Sequence, residues 1–260
     1  MKLAKNLILL TGIFIAISCS CEKNITDVKP DNNPSYKFMF YNVENLFDTL
    51  DNPGTRDEEF MPEDDKEWNT DKYYDKLNNI AKVATDLGGG ELPAIIGLCE
   101  IENRFVLEGL TLSTSLKEAG YQIIHKESPD YRGIDVALLV RPDIFKLKNY
   151  KTWQVWFPFD PERSTREVLY ACGELPGKNL VHIFVNHWPS RSGGEVESRP
   201  KRIFVAELVR SKVDSLLTND PDANIIITGD FNDEPTDLSI VSGLSAYSSF
   251  DDPQKDRLYN

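Results

Sequence analysis

Four short apolar runs in this chain each end on a polar side chain, and that pattern constrains the fold more than any other feature. Residues 36–41 (YKFMFY) run into Asn42, residues 93–98 (PAIIGL) into Cys99-Glu100, residues 180–185 (LVHIFV) into Asn186-His187, and residues 224–228 (NIIIT) into Gly229-Asp230-Phe231-Asn232. A fifth run, residues 134–140 (IDVALLV), follows Tyr131-Arg132-Gly133. Runs this short and this continuously apolar read as strands buried on both faces, so helices or a second sheet must cover them. Two helices of 3.6-residue period are available for that. Residues 73–87 place Leu77, Ile80, Ala81, Ala84 and Leu87 on one stripe, and residues 202–217 do so with Ala206, Val209, Val213, Leu216 and Leu217. The fold class is α/β. Residues 48–69 and 158–166 read as loops, and no internal repeat interrupts the plan.

Composition narrows the function classes. With 40% hydrophobic and 27% charged residues, a disordered chain and a membrane bundle are both excluded. At 260 residues one domain is expected, and a monomer. Lys and Arg number 29 against 42 Asp and Glu, a formal charge of −13, so there is no broad basic footprint for nucleic acid or anionic lipid, although a local site can still hold phosphate. The four cysteines form no disulfide framework; Cys99 and Cys172 lie in apolar surroundings and read as buried thiols.

The other two cysteines belong to a leader. Lys2 and Lys5 precede an almost wholly apolar run at residues 7–17, too short for the ~20 residues that span a bilayer. Residues 1–18 therefore read as an export signal. Ala16-Ile17-Ser18-Cys19 resembles a bacterial lipobox, with Cys19 the lipidated residue and Cys21 the poorer candidate. A plain secretory signal is the alternative. The polar residues 19–35 are expected to be a flexible tether, so the protein is expected in the bacterial cell envelope, held to a membrane through lipid only, or secreted.

Ligands of open α/β sheets bind outside strand ends, so Asn42, Glu100, His187, Asp230 and Asn232 are the candidate site. Hard cations take carboxylate and amide oxygens, which suits Glu100 and Glu44. A His beside a phosphate stabilises developing charge, and an Asp oriented by an Asn takes a proton from water, which suits His187, Asp230 and Asn232. Taken singly, each is more often a turn, a strand-end cap or a surface acid than a catalytic group. The turn Trp188-Pro189-Ser190-Arg191 after His187 favours the functional reading, whereas His125 and His182 read as structural.

Phe40-Tyr41-Asn42-Val43-Glu44-Asn45, Leu98-Cys99-Glu100, Arg132-Gly133-Ile134-Asp135-Val136-Ala137, Asn186-His187-Trp188 and Gly229-Asp230-Phe231-Asn232-Asp233 resemble, in order, motifs of the endonuclease/exonuclease/phosphatase superfamily, near its bacterial deoxyribonuclease I-like members. The resemblance implies a four-layer sandwich over residues 36–260: two packed mixed sheets flanked by helices. It also implies phosphodiester or phosphomonoester hydrolysis with Mg²⁺ or Mn²⁺. Glu100 matches the metal ligand, with Asn42 and Glu44 beside it. His187, Asp230 and Asn232 match the catalytic positions. Arg132 and Arg166 suit a phosphate, a guanidinium fork fitting paired oxygens, and equally a structural salt bridge. The pattern calls for a later Asp-His pair, yet none of the 28 residues after Asn232 is histidine. On that pattern the C-terminal strands are expected to be missing. The function expected is metal-dependent phosphodiester hydrolysis, first in nucleic acid. The alternatives are a phosphomonoesterase, a phospholipid or inositol phosphate diesterase, and a binding lipoprotein of the same fold.

Overall fold

The structure, a computed structural model, describes residues 35–247 and 258–259. The expected export signal, Cys19, Cys21 and all of the tether but Ser35 lie outside the described residues. Two four-stranded mixed sheets are built from β1 (Phe38–Leu46), β2 (Ile95–Ile101), β3 (Gln122–His125) and β4 (Asp135–Val140), and from β5 (Lys146–Trp153), β6 (Val168–Leu175), β7 (Asn179–His187) and β8 (Asn224–Asp230). The first has the order β1-β2-β4-β3, with β1 and β2 parallel and the other pairs antiparallel. The second has the order β5-β6-β7-β8, with β7 and β8 parallel. Each sheet thus carries one parallel pair.

Three helices complete the layers. Helices α1 (Thr70–Leu87) and α2 (Arg104–Ser113) bury Leu77, Ile80, Ala84, Leu107 and Leu110 against Ile96, Leu98 and Leu139 of the first sheet. Helix α3 (Glu195–Asn219) lays Val205, Val209 and Val213 over Tyr170 and Phe184 of the second. Between the sheets sit Ile95, Leu138, Val140, Leu169, Ala171, Ile183 and Val185. The order helix, sheet, sheet, helix is therefore the expected four-layer sandwich. Full burial of each such side chain contributes about 1.5–3 kcal/mol, which makes this apolar seam the main force holding the sheets face to face. The helix starts are set locally. Asn69 accepts from the Lys72 amide and Asn103 from the Val106 amide, each satisfying a donor that the first helical turn leaves open.

Several elements differ from the sequence reading. β1 and β2 continue past Asn42 and through Glu100, so these residues stand within strands rather than after them. Leu87, expected on the buried stripe, is the last residue of α1 and is 67% exposed, the buried stripe ending at Ala84. Helix α3 begins at Glu195, earlier than expected. β5 (KLKNYKTW) escapes the sequence reading because it is an edge strand with exposed lysines. The short pairing of β9 (Ala246–Tyr247) with β10 (Leu258–Tyr259) was likewise not foreseen. Cys99 and Cys172 are buried free thiols as expected. Among the described residues no helix is long and apolar enough to cross a membrane.

Candidate active site

Parallel pairing puts strand ends side by side. Within the first sheet Asn42 is in register with Cys99, one residue before Glu100; within the second, His187 is in register with Asp230. Packing of the sheets then joins the two ends. Asn42 Nδ2 donates to Asp230 Oδ2 at 2.9 Å, and His187 Nε2 stands 3.8 Å from Glu100 Oε1. Both contacts cross from one sheet to the other.

The backbone bends to make this possible. Glu100 is the extra residue of a β-bulge, lying between the pairs Cys99–Val136 and Ile101–Asp135, and its φ is 63°. Glu44 (φ 54°) and Asn232 (φ 52°) are also left-handed. Non-glycine residues hold such conformations only where the surrounding structure imposes them, and they concentrate at functional sites. Gly229 has a φ of 151°, and a Cβ there would stand 2.2 Å from the Asn186 carbonyl oxygen. Only glycine lets β8 close on β7 immediately before Asp230.

Hydrogen bonds then fix each group. Asp230 Oδ1 accepts from the Asn232 amide at 3.0 Å, while Asn232 Nδ2 donates to the Trp188 carbonyl at 3.0 Å. That carbonyl also accepts from Arg166 Nη2 at 2.7 Å. Arg166 Nη1 donates to Asp130 Oδ2 at 3.0 Å, and Asp130 Oδ1 accepts from the Arg132 amide at 3.0 Å. Asp130, 3% exposed, thus anchors both expected arginines, and the salt-bridge reading of Arg166 is realised. Sequence reasoning missed Asp130, although Pro129-Asp130 before an Arg-Gly pair is a turn signal.

His187 is 5% exposed, and burial first, then the positive charges of Arg166 and Arg132, push its pKa down to about 2. The ring is neutral at pH 7, and its Nδ1 has no hydrogen-bond partner among the described residues. Glu100 receives no hydrogen bond among the described residues, so its carboxylate oxygens face the site open. Glu44 is exposed at the rim, its amide donating to Asn42 Oδ1 at 2.9 Å. Lys76 on α1, unforeseen, donates to the Glu44 carbonyl at 2.8 Å; burial lowers its pKa and the charges of Glu44 and Glu100 oppose that. Carboxylate and amide oxygens such as those of Glu100, Glu44 and Asn42 are hard donors, the kind that Mg²⁺ or Mn²⁺ takes. Among the described residues the group of His, Cys, Asp or Glu with three ligand atoms within 4.8 Å of one another is a different one, His125, Glu127 and Asp135. There, Asp135 Oδ1 is taken by the Ser128 amide and hydroxyl and Oδ2 by His125 Nε2 at 3.0 Å, so the group is tied internally.

A mannosyl-6-phosphatase from Bacteroides thetaiotaomicron VPI-5482 superposes with a TM-score of 0.56 at 17% identity, covering 81% of this chain and 70% of that one. A conserved protein of unknown function from Enterococcus faecalis V583 gives 0.55 at 11% identity over 81% of this chain and 72% of that one. TDP2 from C. elegans gives 0.48 at 18% identity over 64% of this chain, which spans 45% of that protein's length. At these identities the first two likenesses show the fold. No curated protein matches the chain in sequence. The Endonuclease/Exonuclease/phosphatase family model matches residues 37–260, nearly the whole of the sandwich and all of its converging strand ends, and the chain belongs to that family.

Proposed function

We propose that the protein is a metal-dependent phosphodiesterase, acting where the four strand ends meet and first on nucleic acid. The observation that carries the reading is the pair of contacts across the sheets, Asn42 with Asp230 and His187 with Glu100. They bring two carboxylates and a neutral imidazole to the same end of the two packed sheets. A divalent ion such as Mg²⁺ or Mn²⁺, held by Glu100 with Asn42 and Glu44 beside it, would supply Lewis-acid charge at the scissile phosphate. Asp230, held on both oxygens, is oriented to take a proton from attacking water. The neutral His187 ring can donate an N–H to a phosphoryl oxygen as negative charge grows there. Asn232 uses its amide nitrogen on Trp188, which leaves its Oδ1 to orient the water. Arg166 and Arg132 add fixed positive charge.

Bis-p-nitrophenyl phosphate tests this directly. Release of p-nitrophenolate should require Mg²⁺ or Mn²⁺ and stop on chelation. No hydrolysis of that diester, of p-nitrophenyl phosphate or of DNA with either ion would refute the enzyme reading. The proposal extends to a bacterial envelope protein, a monomer anchored through lipid at Cys19, on the support of the leader sequence alone. Membrane fractionation of Cys19→Ser and Cys21→Ser tests it, and retention of both variants would overturn it.

A further inference from the structure

We infer that Arg202 and Asp233 are positioning residues, a buried ion pair that ties the strand ends carrying His187, Asp230 and Asn232 to helix α3; the inference rests on the phosphodiesterase reading and names what sets the geometry of that site. Arg202, on α3, is fully buried, and its Nε stands 2.6 Å from Oδ1 of Asp233, whose side chain is 2% exposed. No step of the proposed chemistry uses either group. Taking two charges out of water is costly, and a size-matched apolar pair in the same place is often as stable or more so. Stability alone therefore does not account for the pair, and its remaining bonds point to another role.

Those bonds run to both strand ends. On the β7 side, Arg202 Nη1 donates to the carbonyl of Pro189, in the turn after His187, at 3.4 Å. The same nitrogen donates to Ser198 Oγ at 2.8 Å and Nη2 to the Glu195 carbonyl at 3.4 Å, so the guanidinium is fixed to the start of α3. On the β8 side, Asp233 directly follows Asn232. Its Oδ2 accepts from the Ser239 hydroxyl at 2.6 Å, and its Oδ1 also accepts from Arg191 Nη2 at 3.3 Å. Arg191 in turn donates through Nε to the Asn232 carbonyl at 2.9 Å and through Nη2 to Asp237 Oδ2 at 2.8 Å. Asn232 is thus gripped from behind. It needs that grip, because its φ of 52° is one that a non-glycine residue keeps only under outside constraint. Its amide donates to Asp230 Oδ1 and its side chain to the Trp188 carbonyl, so a relaxed Asn232 would displace the proposed base and the water-orienting oxygen together.

The test compares the full chain with the double variant Arg202→Met/Asp233→Asn, which removes both charges at nearly constant volume and leaves a side-chain oxygen for the Ser239 hydroxyl. Amide hydrogen exchange followed by NMR reads local order without turnover. The Asn232 amide should exchange at least about tenfold faster in the double variant, while the amides that pair β7 with β8 keep their parental rates and the melting temperature stays level. Arg202→Met alone leaves the buried Asp233 carboxylate short of a partner and should melt below the double variant. On bis-p-nitrophenyl phosphate with Mg²⁺, kcat of the double variant should fall by about 100-fold, the cost of misplacing reacting groups by about 1 Å, with KM within about twofold of the parent. A pair with only a structural role would not give that split. Parental exchange at Asn232, or a double variant that melts well below the parent and loses protection evenly across β7 and β8, would overturn the inference. A parent chain that hydrolyses no diester, with Asn232 exchange responding as stated, would remove the phosphodiesterase reading alone.

Discussion

Glu100 owes its position to a backbone conformation that glutamate rarely adopts. The bulge turns it out of the strand's alternation, so a residue inside an otherwise buried run presents a side chain 14% exposed to the shared strand end. The identity of this residue was legible in the sequence because an acid at the end of an apolar run stands out; the bulge was not, since nothing in Cys99-Glu100-Ile101 differs from a regular strand. Lys76 was illegible for a related reason. On the polar face of α1 it looks like any solvated lysine until the fold brings it to Glu44. Glu100→Gln keeps the volume and removes the charge. Turnover with Mg²⁺ or Mn²⁺ should fall by at least about 100-fold. The melting temperature should stay level or rise, because one of several neighbouring negative charges is gone while no hydrogen bond is lost. Calorimetric Mn²⁺ titration and thermal melting read the two effects, and a variant that binds Mn²⁺ like the parent would show that another residue carries the ion.

Among elements, the strands that carry the candidate site were legible, and so was β4, because each is a short, nearly continuous apolar run. β1, β2, β7 and β8 also run into polar residues, and the parallel pairing of β1 with β2 and of β7 with β8 sets those residues side by side. β3 is four residues long and β5 is an edge strand, so neither has a pattern to read. β7 also carries His182, whose structural role was foreseen. It is 7% exposed, its Nδ1 lies 2.7 Å from the Tyr170 hydroxyl, and burial lowers its pKa, only partly offset by the charge of Asp220. The unfolded chain takes up a proton near the ordinary value of 6.5, whereas the folded protein refuses it until a lower pH. The stability this residue provides is therefore complete above pH 6.5 and lost as pH falls from there toward the folded value. The loss reaches at most about 1.4 kcal/mol per pH unit. His182→Gln, which keeps an amide near the Tyr170 hydroxyl, should be less stable than the parent at pH 7.5 and lose less stability between pH 6.5 and 5. Urea unfolding at those pH values measures it, and parallel losses in the two proteins would assign the acid sensitivity elsewhere.

At the scale of the whole molecule, a charge of −13 opposes the substrate that the site is proposed to cut. Arg132, Arg163, Arg166 and Lys201 line one cavity, and three of them are already paired with aspartates, so a long polyanion meets a mainly acidic molecule. A small diester meets only the site. The two substrates should therefore respond oppositely to salt. At 0.01 M ionic strength the screening length is about 30 Å, comparable to a domain, and the net charge is felt across the whole approach; at 0.15 M it is about 8 Å and only the nearest groups matter. For DNA, kcat/KM should rise severalfold over that range as repulsion is screened, whereas for bis-p-nitrophenyl phosphate it should change less than about twofold. A protein that engages DNA through a basic track behaves the other way, losing affinity steeply as salt competes with counterion release. Stopped-time assays on both substrates at matched free Mg²⁺ decide between these. A falling rate on DNA would mean that a basic track exists which the described surface does not explain.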